Sequence, residues 1–544
     1  MTMTYDIRPM ERTPAKATDP LFRIVKRLFN GFQGNARLSL WNEHTFQLNS
    51  APPQFTLHLR DPQVLKKFIA NASPIALADA YFFGQLDVEG DFYSALALKE
   101  HFEGIVLSWR DKLSLLRDVL RLPGSTGAVT DPAPGLIRTM VRRMAHGFAH
   151  QHTRNSDRAA IQFHYDVSNA FYGLWLDRER VYSCAYFEAF DDSLDTAQQR
   201  KLDHVCRKLR LRPGDRLLDI GCGWGAMVCW AARHYGVHAH GITLSQQQLD
   251  YARARIAAEG LQDRVRVELR DYRDLQGDAV YDKVSSIGMF EHVGLANMPT
   301  YLQTVQRVLR PGGLFLNHGI THDEEGWNQT VSREFINRFV FPDGELDCVS
   351  NIQLGMERAG FEIQDVEALR RHYAMTLRHW VKRLEVKRDE ALREVDEQTY
   401  RVWRLYMAAC AREFEAGGTG VYQILASRRG AEPPLPLTRR DLYRDHAADI
   451  SPPNDQELAM NAVLTPLPSV RTPEPMPTAR RIPTLLMDWT VAGITPPSSP
   501  APDLPVPEKP TPLPPEMPEP APPVEEPPRP NMATAKVGSP AWRL

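Results

Sequence analysis

Between residues 213 and 320 short apolar runs alternate with longer stretches of helical periodicity. Strand-like runs cover Arg216–Ile220, Val237–Ile242, Val265–Leu269, Lys283–Ile287 and Leu314–Asn317. Helix-like runs cover Ala226–His234, Gln246–Glu259 and Pro299–Leu309. This alternation predicts an α/β fold, a mainly parallel sheet covered by helices. Such sheets bind ligands at the carboxyl ends of their strands, near the point where strand order reverses. Upstream, the alternating stretches Arg37–Phe46 and Gln54–Leu59 read as strands, and a helix-like run starts at Pro62. Two amphipathic helices follow. Leu107–Leu122 carries Leu113, Leu116 and Leu120 on one face. Leu136–His150 carries Leu136, Met140, Met144 and Phe148 on one face and Arg138, Arg142 and Arg143 elsewhere. Apolar residues spaced three and four apart form such stripes.

Composition changes the picture at the C-terminal end. Of the 43 prolines in 544 residues, 29 fall in 431–544 and 14 in 501–530 alone. Proline donates no backbone hydrogen bond and fixes its own φ, so these residues predict a disordered, extended tail. Two readings of the tail fit: a solvated spacer, or a docking site for a proline-motif-binding protein. A short apolar island lies within it at Ile482–Ile494. The first 430 residues read as folded. With 65 Lys+Arg against 67 Asp+Glu the net charge is -2, which argues against a general nucleic-acid binder. No apolar run reaches the ~18 residues of a membrane span, and no signal-peptide core is expected at the N-terminus. The six cysteines form no CxxC, which argues against a disulfide scaffold or a zinc finger and for a cytoplasmic setting.

The segment 217–225, LLDIGCGWG, leaves a predicted strand and opens a helix. Gly221, Gly223 and Gly225 lack the side chains that would prevent a sharp turn and a close ligand approach. The helix N-terminus that follows suits a carboxylate, and Asp219 suits an ammonium. A ligand with an amino acid part and a nucleoside part fits this loop, and S-adenosylmethionine has both. Downstream, Pro311-Gly-Gly313 launches an apolar strand. The second strand ends in HGITLS (240–245) without an acid for ribose hydroxyls, so Thr243 and Gln248 are the candidates for those contacts.

Taken with HYDVSNAFYGLWLD (164–177), VYSCAYF (181–187), SIGMFEHVG (286–294) and LNHGI (316–320), the chain resembles the cyclopropane-fatty-acyl-phospholipid synthases and the related mycolic acid cyclopropane synthases. The resemblance covers roughly residues 160–430. Residues 30–130 also resemble, more weakly, the small N-terminal domain of the bacterial phospholipid enzymes. The resemblance implies a Rossmann-like S-adenosylmethionine-dependent methyltransferase fold in 161–430. A small N-terminal α+β domain (1–130), a basic amphipathic linker (131–160) and the proline-rich tail (431–544) complete the expected organisation. It implies transfer of the methyl(ene) carbon to the cis double bond of a phospholipid acyl chain, through a carbocation deprotonated by bound bicarbonate. The implied bicarbonate cage is Cys184 and Ile320 through their backbones, with Glu291, His318 and Tyr373. Tyr182 and Ser183 are implied contacts to the methionine part of the cofactor, and Asp271 and Tyr272 contacts to its adenine. Where the family usually has His-Thr-Ile, this chain has His318-Gly-Ile320. Tyr165 is the preferred ring to face the cation; Phe171, Tyr172, Tyr186 and Phe290 are the other candidates.

Such an enzyme would be expected at the cytoplasmic membrane surface, drawing unsaturated chains from the phospholipid bilayer. Leu136–His150 suits that surface, with Arg23, Lys26 and Arg27 as a second basic cluster. An interior helix packing its stripe inside the protein fits the same pattern. Three other readings remain open at this point: a methyl-branching fatty acid enzyme, a small-molecule methyltransferase, and a non-catalytic membrane adaptor with a docking tail. Oligomeric state is not encoded in any pattern found.

Overall fold

A computed structural model describes residues 7–9, 19–71, 74–105, 107–124, 167–323 and 345–443. One compact unit spans Met1–Ile450 and a second spans Ser451–Leu544, the latter wholly outside the described residues. Tyr165, the segment Leu136–His150 with its arginines, the apolar island and the tail beyond 443 also lie outside them.

The N-terminal part is a five-stranded sheet with helices on it. Its strands are β1 (Ile7–Pro9), β2 (Ala36–Leu40), β3 (Thr45–Leu48), β4 (Phe55–Leu59) and β5 (Leu86–Gly90), in the order β1-β3-β2-β4-β5. Alternation puts Ala36, Leu38 and Leu40 of β2 inside, with Phe55, Leu57 and Leu59 of β4 beside them. The expected single strand Arg37–Phe46 is two strands of a hairpin. Its turn closes with Leu40 N–H donating to the His44 carbonyl, and Glu43 sits at φ 66 in the left-handed region. Periodicity passes through such a turn unbroken, so the sequence pattern hides it.

The sheet of the larger part comprises β6 (Arg216–Ile220), β7 (His238–Thr243), β8 (Val265–Leu269), β9 (Tyr281–Ile287), β10 (Leu309–His322), β11 (Phe361–Ala368) and β12 (Thr419–Arg428). Strand order is β11-β12-β10-β9-β6-β7-β8. The run from β8 to β10 is parallel, and β12 runs antiparallel to both β10 and β11. Adjacent Leu217 and Leu218 of β6 enter the cores on opposite faces, as a sheet covered on both sides requires. Strand order reverses between β6 and β9, which opens a crevice at their carboxyl ends.

The two sheets share a hydrophobic cluster through the helix Glu397–Ala416. Arg401 on that helix donates to the Tyr81 and Leu86 carbonyls at 3.1 and 3.3 Å and pairs with Asp87 at 3.2 Å. Of the basic cluster expected near residue 25, Lys26 is exposed, whereas the two arginines are engaged within the protein. Arg23 binds the buried Asp118 at 2.6 and 3.0 Å, and Arg27 reaches the same carboxylate at 3.3 Å.

The folded part also extends past the expected boundary at 430. Leu442 is buried, Arg210 forks onto Asp441 at 2.9 and 3.2 Å, Arg207 donates to the Leu442 carbonyl, and Arg439 pairs with Asp365 at 2.5 Å. Proline density marks where regular structure stops, not where packing stops. Truncation after residue 450 is therefore expected to leave thermal stability unchanged. Truncation after 430 is expected to cost about 2 kcal/mol or more, from the lost burial of one leucine and the loss of the Arg439 pair to Asp365. Calorimetry of the two truncations checks this.

Candidate active site

The carboxyl ends of β6, β7 and β9 surround one cavity. Its lining includes Tyr182, Ser183, Asp219, Gly221, Gly223, Thr243, Gln248, Asp271 and Tyr272. The glycine loop adopts φ +81, +54 and +84 at Gly221, Gly223 and Gly225. All three values are costly for residues with a Cβ. A Cβ on Gly223 would meet nothing within 4 Å, so this backbone stands open to the cavity. Gly225 does not line it. It caps the helix Ala226–Tyr235, and a Cβ there would come within 3.1 Å of Ala252.

Asp219 at the end of β6 is buried and accepts from Ser285 Oγ at 2.7 Å. Burial pushes its carboxyl up to about 6. Lys201, from the helix Leu194–Lys208, is buried in the same cavity wall, and its Nζ donates to Ser183 Oγ at 3.1 Å. Burial pulls the lysine down to about 8. One cavity thus offers an acid and a base to the zwitterionic end of an amino acid. Gln198, on the same helix, holds the Ser183 carbonyl at 2.9 Å. Thr243 donates to Gln248 Oε1 at 2.8 Å, which aligns the two side chains expected near a ribose. Asp271 is forked by Arg273 at 2.7 and 2.8 Å, and that guanidinium lies 5.4 Å from the Tyr272 ring centre. These residues fit a ligand with an amino acid and a nucleoside part.

Beyond the cavity lies a drier group. Glu291 sits in the short turn after β9, in the same loop as the cavity-lining Met289 and His292. Its Oε1 accepts from Ile320 N–H at 2.7 Å, and its buried Oε2 has no partner among the described residues. The Ile320 N–H, expected in the bicarbonate cage, is therefore committed to Glu291. Burial pushes the Glu291 carboxyl up to about 7. His318 lies on β10 opposite Gln423 of β12, whose Nε2 stands 3.2 Å from His318 Nδ1. With the amide donating to Nδ1, the ring proton sits on Nε2, a buried atom with no partner among the described residues. Burial holds the imidazole well below its usual value, so the ring is neutral.

Tyr373, on the helix Arg370–Val386, packs against Phe414 and Trp380 at 4.8 and 6.0 Å between ring centres. Burial keeps its phenol protonated. Cys184 is buried with its thiol 3.3 Å from the Ala185 carbonyl, and burial raises it far from thiolate. The strand-like segment around it is tied by Thr376 Oγ1 accepting from Ala185 N–H at 3.0 Å. The Phe290 ring explains the glycine at 319, because a Cβ there would come within 2.1 Å of it. Phe171 and Tyr172 are buried among Trp175, Tyr182 and Trp403, and Tyr186 stacks between His204 and His372.

The family model described as mycolic acid cyclopropane synthetase matches residues 152–424. The chain belongs to this family. A Pseudomonas putida protein described as a probable fatty acid methyltransferase is 43% identical over 413 residues, 75% of this chain and 96% of that one. The cyclopropane-fatty-acyl-phospholipid synthase of Escherichia coli K12 is 38% identical over 276 residues, 51% of this chain and 69% of that one. Among solved structures, the mycolic acid cyclopropane synthase CmaA1, complexed with SAH and CTAB, aligns with a TM-score of 0.47 at 33% identity, over 50% of this chain and 98% of that one. The chain is accordingly an S-adenosylmethionine-dependent methyltransferase of the cyclopropane synthase kind, built on the parallel sheet described above.

Reading the sequence missed three side chains that this family member places at the site: Lys201, Gln423 and Arg273. Lys201 carried little signal, because its buried helical face also holds the polar Gln198, His204 and Lys208. Gln423 carried none, because its partner is 105 residues away across a strand pair.

Proposed function

We propose that the chain transfers the methyl carbon of S-adenosylmethionine to the cis double bond of an unsaturated phospholipid acyl chain, giving a cyclopropane ring. The observation that carries this reading is a pair of buried polar atoms without partners among the described residues, Glu291 Oε2 and His318 Nε2, with Glu291 in the loop whose Met289 and His292 line the cofactor cavity. Leaving a buried polar atom unpaired costs about 1–3 kcal/mol, so an arrangement with two asks for a polar guest. An acceptor and a donor of this kind fit a small protonated oxyanion such as bicarbonate. Such an ion, when bound, supplies a weak base beside the reacting carbon. Glu291, His318 and Tyr373 would hold it, with the backbone at Cys184.

The protein's own part follows from chemistry. A methyl transfer to an alkene forms a cation, so the pocket needs low polarity and no nucleophile that the donor could alkylate. Burial keeps the Cys184 thiol and the Tyr373 phenol protonated, and the Gln423 amide occupies the lone pair of the neutral His318 ring. The Glu291 carboxyl, near 7, can share a proton with an anion instead of repelling it. Gln423 keeps His318 as a donor toward that anion. Gln423→Leu is expected to lower kcat about tenfold, the scale of a misassigned proton, while leaving S-adenosylmethionine affinity unchanged. Nitrogen chemical shifts of His318 should report the lost tautomer preference, and an unchanged ring would remove Gln423 from this role.

The substrate lies in the bilayer, so the enzyme would work peripherally at the cytoplasmic membrane face. A methyl-branched product is the second reading, favoured by the name of the Pseudomonas putida relative. Mass spectrometry of lipids from cells that express the protein tests the choice. A gain of one CH₂ per unsaturated chain that resists mild hydrogenation is the expected result; chains of unchanged mass would refute the proposal.

A further inference from the structure

The helix Trp109–Leu120 carries two apolar rows, and the sequence pattern singles out the one that faces water. Leu115, Val119 and the Arg23-bound Asp118 turn inward. The other row is Trp109, Leu113, Leu116 and Leu120, spaced four, three and four, which is one side of a helix. These residues are 67, 58, 49 and 75% exposed. Among the described residues no helix is long and apolar enough to cross a membrane, so this row is not part of a span. A contiguous exposed apolar row marks an interaction surface.

The charges beside the row select the partner. Arg110, Lys112, Arg117 and Arg121 are all exposed. At about 100° per residue, Lys112 borders the row on one side and the three arginines border it on the other. The two acids of the helix point elsewhere. Asp118 is buried on Arg23 and Arg27, and Asp111 takes the Ser108 hydroxyl at 2.5 Å and faces Arg27 at 3.7 Å. The result is a row of one tryptophan and three leucines with cationic borders on both sides. We propose that this face docks the enzyme on an anionic phospholipid bilayer, with the tryptophan and leucines at the headgroup–acyl boundary and the cations among the phosphates. A second copy would set the same cations against each other, which like-charge repulsion disfavours. The inference deepens the proposed lipid activity and rests on it for its purpose, but vesicle binding can be measured without turnover.

The test uses the full chain and vesicles of phosphatidylcholine with or without phosphatidylglycerol. Co-sedimentation is expected with the anionic vesicles and to fall about tenfold without phosphatidylglycerol. Leu113→Glu/Leu116→Glu and Arg110→Glu/Arg117→Glu should each weaken it about tenfold or more, with S-adenosylmethionine affinity and melting temperature unchanged. Wild-type protein that ignores anionic vesicles, or variants that sediment like it, would overturn the proposal. So would a loss of oligomer mass in the variants, which would assign the face to a second copy, or a gain in protease sensitivity of residues 125–166, which would assign it to that segment. Vesicle binding by a wild-type protein that transfers no methyl group would end the proposed activity and leave the docking face standing. Variants that still modify detergent-dispersed lipid while losing vesicles would separate the two in the other direction.

Discussion

Glu291→Gln is expected to bind S-adenosylmethionine as the wild type does and to form product about 10²-fold more slowly or worse, the scale of a lost acid–base group. The substitution is nearly isosteric. Its amide oxygen can keep the 2.7 Å bond from Ile320 N–H, so the fold around β10 should persist. What is lost is the second oxygen, the buried Oε2 that has no partner among the described residues and can act on a guest. The same variant makes a stability prediction of known sign. Burial raises the Glu291 carboxyl from 4.5 to about 7, so the folded protein holds this proton after the unfolded chain has released it. The wild type therefore loses stability as pH rises through that window, by about 3 kcal/mol when the carboxyl is fully ionised. Glutamine does not titrate. The variant's stability relative to wild type should rise between pH 4 and pH 8, which melting curves at the two pH values measure. A flat difference, or wild-type turnover in the variant, would remove Glu291 from the reacting group.

Gly223→Leu is expected to abolish S-adenosylmethionine binding, an affinity loss of at least about a hundredfold, while the protein stays folded. The left-handed φ of +54 costs a non-glycine residue about 1–2 kcal/mol, which a domain of ordinary stability tolerates. No protein atom lies within 4 Å of the added Cβ, so the side chain grows into the cavity and displaces the ligand instead of disrupting a core. Isothermal titration with S-adenosylmethionine and a melting curve of the same sample check both halves. Wild-type affinity would show that the cofactor approaches from elsewhere.

Much of this arrangement was legible in the residues. Arg216–Ile220 and Val265–Leu269 are the strands the pattern predicts, and the other three strands expected in this sheet differ from the observed ones only at their ends. The reason is physical: inner strands such as Arg216–Ile220 are buried on both faces and read as apolar runs, while the edge strand Val265–Leu269 alternates buried and exposed residues. The glycine loop was legible because three left-handed positions at alternate residues, 221, 223 and 225, leave little choice of residue. The hairpin inside Arg37–Phe46 was not, since alternation is the same on both sides of its turn. The row Leu113, Leu116 and Leu120 was legible as a stripe, but its direction was not. Burial of the opposite face depends on Arg23 finding Asp118, a pairing 95 residues apart that periodicity does not encode. Gln423 and Lys201 were hidden for the same reason, since each acts through a partner from another element.

The central claim is that the former methyl group loses one hydrogen as the ring closes beside Glu291 and His318. Incubating the protein with S-adenosylmethionine carrying a trideuterated methyl group, and vesicles of unsaturated phospholipid, reads that event from product mass. Ring closure predicts acyl chains that carry two of the three deuteria and resist mild hydrogenation, which a methylene branch does not. Chains that retain all three would show a methyl branch and contradict ring closure, and chains without deuterium would contradict the transfer itself.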